Sequence, residues 1–176
     1  MLQDHSNLEP MLEQVEAIAR EAKRQEQAYA EVLERVHPNL KESARNLIHY
    51  RAMRSFDIRE LQKQLGQIGL SRLAKAEGHT MASLSVTATL LRALLLGEFI
   101  EKEKVRLTIA KAQSIVRAHT RQLLGYRTEG RRTRIMVTLP TEAAENESLV
   151  HNMVKLGMNC ARINCAHDGP EVWKRM

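Results

Sequence analysis

Aromatic side chains are nearly missing from this chain: phenylalanine, tyrosine and tryptophan make up 3% of its 176 residues. A core built without them must come from Leu, Ile, Val, Ala and Met, a composition that favours packed helices. Cysteine is as scarce. Cys160 and Cys165 share one segment with no second pair, which excludes a four-cysteine zinc site and suggests no disulfide framework. Two small apolar side chains, buried in a reducing compartment, are expected instead. No apolar run has the length of a spanning helix; "LLRALLLGEFI" comes nearest, and Arg92 and Glu98 interrupt it. The polar start "MLQDHSNLEP" lacks the basic and apolar regions of a signal peptide, so the expected location is the cytoplasm. A Walker-type phosphate loop, an HExxH zinc pair and a nucleophile elbow are absent too.

What is present is an ordinary hydrophobic share, 43%, enough to bury a core. The formal net charge of +6 makes polyanions plausible partners: nucleic acid, a membrane surface or a phosphorylated small molecule. A solvated basic surface explains the same charge without a partner.

Leu8, Leu12, Val15, Ala19, Ala22, Tyr29, Leu33 and Val36 follow alternating steps of four and three, with Glu26 in the one gap. This heptad-like seam predicts one long helix ending at Pro38, lying across its own bundle or pairing with a second copy. Leu40, Ala44, Leu47 and Ile48 mark a second helix. After "SFD", with Ser55 or Asp57 as N-cap, Ile58, Leu61, Leu65 and Ile68 mark a third that stops at Gly69. Ser71 caps a short turn through Ala74. Thr80 opens an apolar helix with Leu84, Ala88, Leu91 and Leu95, and a further helix is expected from Glu98 to Leu124, where "EKEK" at 101–104 is an exposed charged face. His49, His79 and His119 fall in helical contexts as satisfied or exposed side chains.

The pattern changes at "GYRTEGRRTR", where Arg127, Arg131, Arg132 and Arg134 fit a solvated linker. Then "RIMVTLP" predicts a strand with Pro140 just past it, "TEAAENESLVHNMVKLG" a helix, "NCARIN" a second strand, and "DGPEVWKRM" a helix with Asp168 or Gly169 as N-cap and Pro170 in its first turn. Strand, helix, strand, helix is a βαβ unit with parallel strands and a right-handed crossover. The fold class is therefore mainly α: a helical bundle at 1–125, a basic linker at 126–134 and a β-α-β-α segment at 135–176.

Alternation in the second strand puts Ala161, Ile163 and Cys165 on one face, expected under a helix, and Cys160, Arg162, Asn164 and Ala166 on the other. An arginine buried there without an anion is costly. Asn164, Ala166 and His167 also sit at the strand's carboxyl end, where parallel α/β folds gather their sites, and that position favours a functional reading of Arg162.

"TRIMVTLPTEA" and "GMNCARINCAHDG" resemble the opening strand and the following motif of the pyruvate kinase barrel, whose versions are of the "TKIVCTIGP" and "GMNVARLNFSHG" kind. The resemblance covers Arg132–Met176, about a quarter of the chain, and the helical stretch before it looks like the extension found in some bacterial relatives. It implies the start of a (β/α)8 barrel and the glycolytic transfer of a phosphoryl group between phosphoenolpyruvate and ADP/ATP, with Mg2+ and K+. By that resemblance Arg162 binds the substrate phosphate, Asn164 the nucleotide side and potassium, and His167 the nucleotide. These roles suit the groups: a guanidinium pairs its donors with phosphate oxygens, and an amide oxygen suits a hard cation. Three positions depart. Ala166 replaces a potassium-binding serine, Asp168 a glycine, and "LPTEA" stands where Gly-Pro is expected.

Two strands do not close an eight-stranded barrel. The expectation is a truncated, pyruvate-kinase-type phosphotransferase segment, catalytically incomplete alone, with an open sheet edge and possible homo-oligomers through the Leu8–Val36 helix. The alternative is a helical interaction module without catalysis. Nucleic-acid binding through "IRELQKQLGQIGLSRLAKAEGHTMASL" fits poorly, because a second break at Gly78 leaves no clear recognition helix.

Overall fold

The computed structural model describes residues 7–98, 101 and 104–176. The chain divides into two units, Met1–Ser114 and Ile115–Met176, with the division inside the last long helix. Its described part is mainly helical, with one two-stranded parallel sheet. No described helix is long and apolar enough to cross a membrane.

In the first unit the predicted long helix is two: α1 (Leu8–Ala28) and α2 (Ala30–Arg35), interrupted at Tyr29. The buried stripe of α1 is Leu8, Met11, Val15, Ile18 and Ala22. It keeps the three-and-four spacing but uses Met11 and Ile18, leaving Leu12 and Ala19 as half-buried flanks. This stripe packs on α3 (Lys41–Arg54) and α5 (Thr80–Leu96), so the seam is filled from within the unit. Pro38 opens a single 3-10 turn, Pro38–Leu40, where the helical run is expected to stop.

The inward face of α3 is the largest departure in this unit. Leu40 and Leu47 are exposed, at 47% and 65%, while Asn46, His49, Ala52 and Met53 are buried. Polar side chains can point inward here because each has a partner, as shown below. α4 (Arg59–Gln67) buries Leu61 and Leu65 as its spacing predicts. Gly69, at φ +77°, ends it: the Leu70 amide reaches back to the Leu65 carbonyl at 2.8 Å, the helix-closing bond that needs a left-handed residue in between. Residues 68–79 then run without regular structure before α5, far more than the three or four residues of a helix-turn-helix turn. His79 stands at the N-cap of α5, outside the helix, and bonds Ser83 through Nδ1 at 2.9 Å.

α6 (Ile109–Leu124) starts eleven residues later than the pattern predicts. Thr108 sets the start, its Oγ1 accepting from the Lys111 amide at 3.2 Å. Glu101 and Lys104 of "EKEK" are outside any helix, and Lys102 and Glu103 lie outside the described residues.

In the second unit β1 (Met136–Thr138) pairs in parallel with β2 (Cys160–Arg162), in the register Met136 to Cys160, Val137 to Ala161 and Thr138 to Arg162. Between them the single predicted helix is a 3-10 turn, Thr141–Ala144, followed by α7 (Glu147–Lys155). The break comes from Asn146, whose Oδ1 caps α7 at the Leu149 amide. α8 (Pro170–Arg175) follows with Gly169 as N-cap and Pro170 in its first turn. Burial here is thin: Leu139 and Ala143 are buried, while Met136, Val154 and Leu156 are exposed at 55%, 55% and 86%. The face expected beneath a helix is open, since Ala161, Ile163 and Cys165 are all exposed. The cysteines are therefore no core pair; Cys160 is half-buried and Cys165 exposed.

Candidate phosphate site at the end of the parallel strands

The strand pair is pinned at its amino end by side chains that the sequence pattern assigned to a solvated linker. Arg131 Nη2 donates to the Gly157 carbonyl at 2.7 Å and to Thr128 Oγ1 at 2.6 Å. Asn159 Oδ1 accepts from the Ile135 amide at 3.0 Å, and the Ile135 carbonyl accepts from the amides of Asn159 and Cys160. Arg134 clasps the Gly125 carbonyl through two guanidinium nitrogens, and Arg127 donates to the Arg132 carbonyl. These arginines hold backbone. Runs of Gly and Arg do not reveal that use, because the accepting carbonyls lie up to 26 residues away.

At the carboxyl end, Arg162 is the last residue of β2, and its carbonyl accepts from the Leu139 amide at 3.0 Å. Its side chain is exposed. Exposure removes the desolvation cost that would have demanded an anion; the guanidinium is solvated and, among the described residues, has no carboxylate partner. Beyond it the chain turns. Asn164 Oδ1 accepts from the Ala166 amide at 3.3 Å, and the Asn164 carbonyl accepts from the His167 amide at 3.1 Å. The His167 carbonyl in turn accepts from Trp173 Nε1 at 2.8 Å, tying the turn to α8. Asn164 and His167 thus belong to one turn directly after Arg162, with Asn164 half-buried and His167 exposed.

Two of the departures from the barrel motif touch each other. Asp168, where the motif has glycine, adopts φ +59°, the left-handed region that glycine favours and aspartate tolerates. Its carboxylate accepts from Thr141 Oγ1 at 3.0 and 3.1 Å, and Thr141 belongs to the "LPTEA" that stands for Gly-Pro. The negative charge is therefore occupied by a local hydroxyl.

The donor set for a cation at this turn is thin. Asn164 Oδ1 is engaged with a backbone amide, and Ala166 brings no side-chain oxygen. Among the described residues no three His, Cys, Asp or Glu side chains gather as a metal site. The side chains of this turn do not fit the potassium that the resemblance assigns to Asn164.

The first unit holds a second arrangement that the sequence pattern did not single out. Glu26, the gap in the α1 seam, accepts from Arg45 Nε at 2.7 Å and bonds His49 Nε2 at 2.8 Å, while Arg45 Nη1 reaches Glu42 at 2.6 Å. Burial pushes the Glu26 carboxyl up, but the hydrogen bonds from His49 and Arg45 more than offset this and hold it below its ordinary value. The cluster borders a cavity of about 400 Å³. One signal was in the sequence: a glutamate at a seam position implies cations on the facing helix.

No family model, curated protein or solved structure matches this chain.

Proposed function

We propose that the segment from Arg132 onward is the opening of a pyruvate-kinase-like phosphotransferase barrel, and that its part in the reaction is to bind the phosphate of a small phosphorylated metabolite through Arg162. Phosphoenolpyruvate is the substrate the motif suggests. The observation that carries this reading is the placement of Arg162: last residue of the second of two parallel strands, beside Thr138, exposed, and paired with no carboxylate among the described residues. Arg131 and Arg134 are committed to carbonyls, whereas Arg162 keeps its donors for an incoming oxyanion.

A guanidinium meets phosphate with two parallel hydrogen bonds, a geometry a lysine ammonium cannot reproduce. In phosphoryl transfer the protein supplies mainly position and charge, so an arginine placed beside the phosphate is a functional part without being an acid or base. The left-handed φ of Asp168 supports the same reading, since the backbone there has the conformation that a motif glycine would provide.

The test is a ligand-observed magnetic-resonance titration of the whole chain with phosphoenolpyruvate. Saturable binding, on the order of millimolar for one solvated arginine, is expected. Arg162→Ala should weaken it about tenfold, and Arg162→Lys should restore only part. Equal binding by wild type and Arg162→Ala would refute the proposal.

A further inference from the structure

We propose that the cavity bounded by α1, α3, α5 and the Lys104–Leu107 segment binds a small organic anion, a carboxylate or phosphate joined to an apolar body. Its volume of about 400 Å³ falls within the range of small-molecule pockets. Leu84, Ala88, Val105 and Leu107 give it apolar wall.

The charges on the wall do not balance. Glu16, Glu26 and Glu42 face Arg20, Lys23, Arg45, Arg92, Lys104 and Arg106 across it. Each carboxylate already has a cation from the wall: Glu16 has Arg92 at 2.7 Å, and Glu26 and Glu42 share Arg45. Lys104 and Arg106 have no anionic partner among the described residues. Both are exposed at the rim, so a ligand anion can meet them without first breaking an ion pair. Low-dielectric walls focus such a field inward.

A second, independent sign is an unspent polar group. Ser85 lines the cavity, is 9% exposed, and its Oγ has no hydrogen-bond partner. Folded chains rarely leave a buried hydroxyl unpaired, and those that do often hold it for a ligand or water. Glu42 Oε2, also on the wall, is likewise unpaired, an acceptor for a hydroxyl carried by the ligand. An inorganic ion would leave the apolar wall unused, and a polymer would not enter a cavity of this size.

The experiment follows backbone amide resonances of the whole chain during addition of phenyl phosphate, phenylacetate or inorganic phosphate. The first two should shift residues 84–88 and 104–107 saturably, with inorganic phosphate about tenfold weaker for want of an apolar body. Lys104→Glu with Arg106→Glu, both at exposed positions, should weaken the organic anions about tenfold. Ser85→Ala should weaken them severalfold while leaving the melting temperature unchanged or raised. Arg162→Ala should leave this binding intact, which separates it from the phosphate site of the second unit. Shifts elsewhere, no shifts, equal affinity for inorganic phosphate, or indifference to the double charge reversal would each overturn the proposal.

Discussion

Glu26 occupies a seam position in α1 because α3 brings two donors to it, Arg45 and His49. Its folded carboxyl lies below the ordinary 4.5, so the fold binds its proton less readily than the unfolded chain does. The stability this provides is complete above that ordinary value and disappears as pH falls below 4.5 through the lowered one. Glu21 and Asp57, each lowered to about 2, titrate in the same direction; comparison with a Glu26 variant isolates the one group. Glu26→Gln should lower stability by about 1 kcal/mol near neutral pH, and that difference should shrink steadily once the pH is taken below 4.5. Urea unfolding midpoints at neutral and acid pH check it; a difference that stays the same in acid would show that the carboxylate charge is not what matters. Arg162 illustrates the other use of an arginine, a head left in solvent with no carboxylate partner among the described residues.

Among the elements, α5 is begun by a residue of another helix. Asn46 of α3 accepts from the Thr80 amide at 2.9 Å and donates to the Glu77 carbonyl at 2.6 Å, and both Asn46 and Thr80 are buried. Asn46→Ala should cost about 1–3 kcal/mol, because the buried Thr80 amide loses its acceptor; Asn46→Asp keeps the acceptor and should cost less. Thermal or urea unfolding distinguishes them, and equal stability of all three proteins would contradict the assignment. This cap shows why some of the fold was legible and some was not. Helices α4 and α5, the stop at Gly69 and the parallel strand pair follow from apolar spacing and turn residues, which are local. The inward face of α3 does not follow from apolar spacing, because Asn46 and His49 are drawn inward by partners 34 and 23 residues away. Asn146 and Thr108 reset two helix starts with single capping oxygens that a periodicity count passes over. At the candidate site, the strand ending at Arg162 and the turn after it that holds Asn164 and His167 were legible from local pattern. The Thr141–Asp168 bond was not, because it joins two departures from the motif 27 residues apart.

Across the whole molecule, burial is unevenly shared. The first unit buries a continuous cluster from Leu8 to Leu91, while the second buries chiefly Leu139 and Ala143 and leaves Ile135, Met136 and Ile163 exposed. The chemistry is split in the same way. One unit offers a walled cavity with surplus cations, and the other an open strand end with a solvated guanidinium. Whether that guanidinium meets phosphate can be read from arginine Nε–Hε resonances recorded during a phosphoenolpyruvate titration of the whole chain. The Arg162 signal should shift saturably while those of Arg131 and Arg134, tied to backbone carbonyls, stay in place. A titration that moves other arginines and leaves Arg162 unmoved would contradict the account.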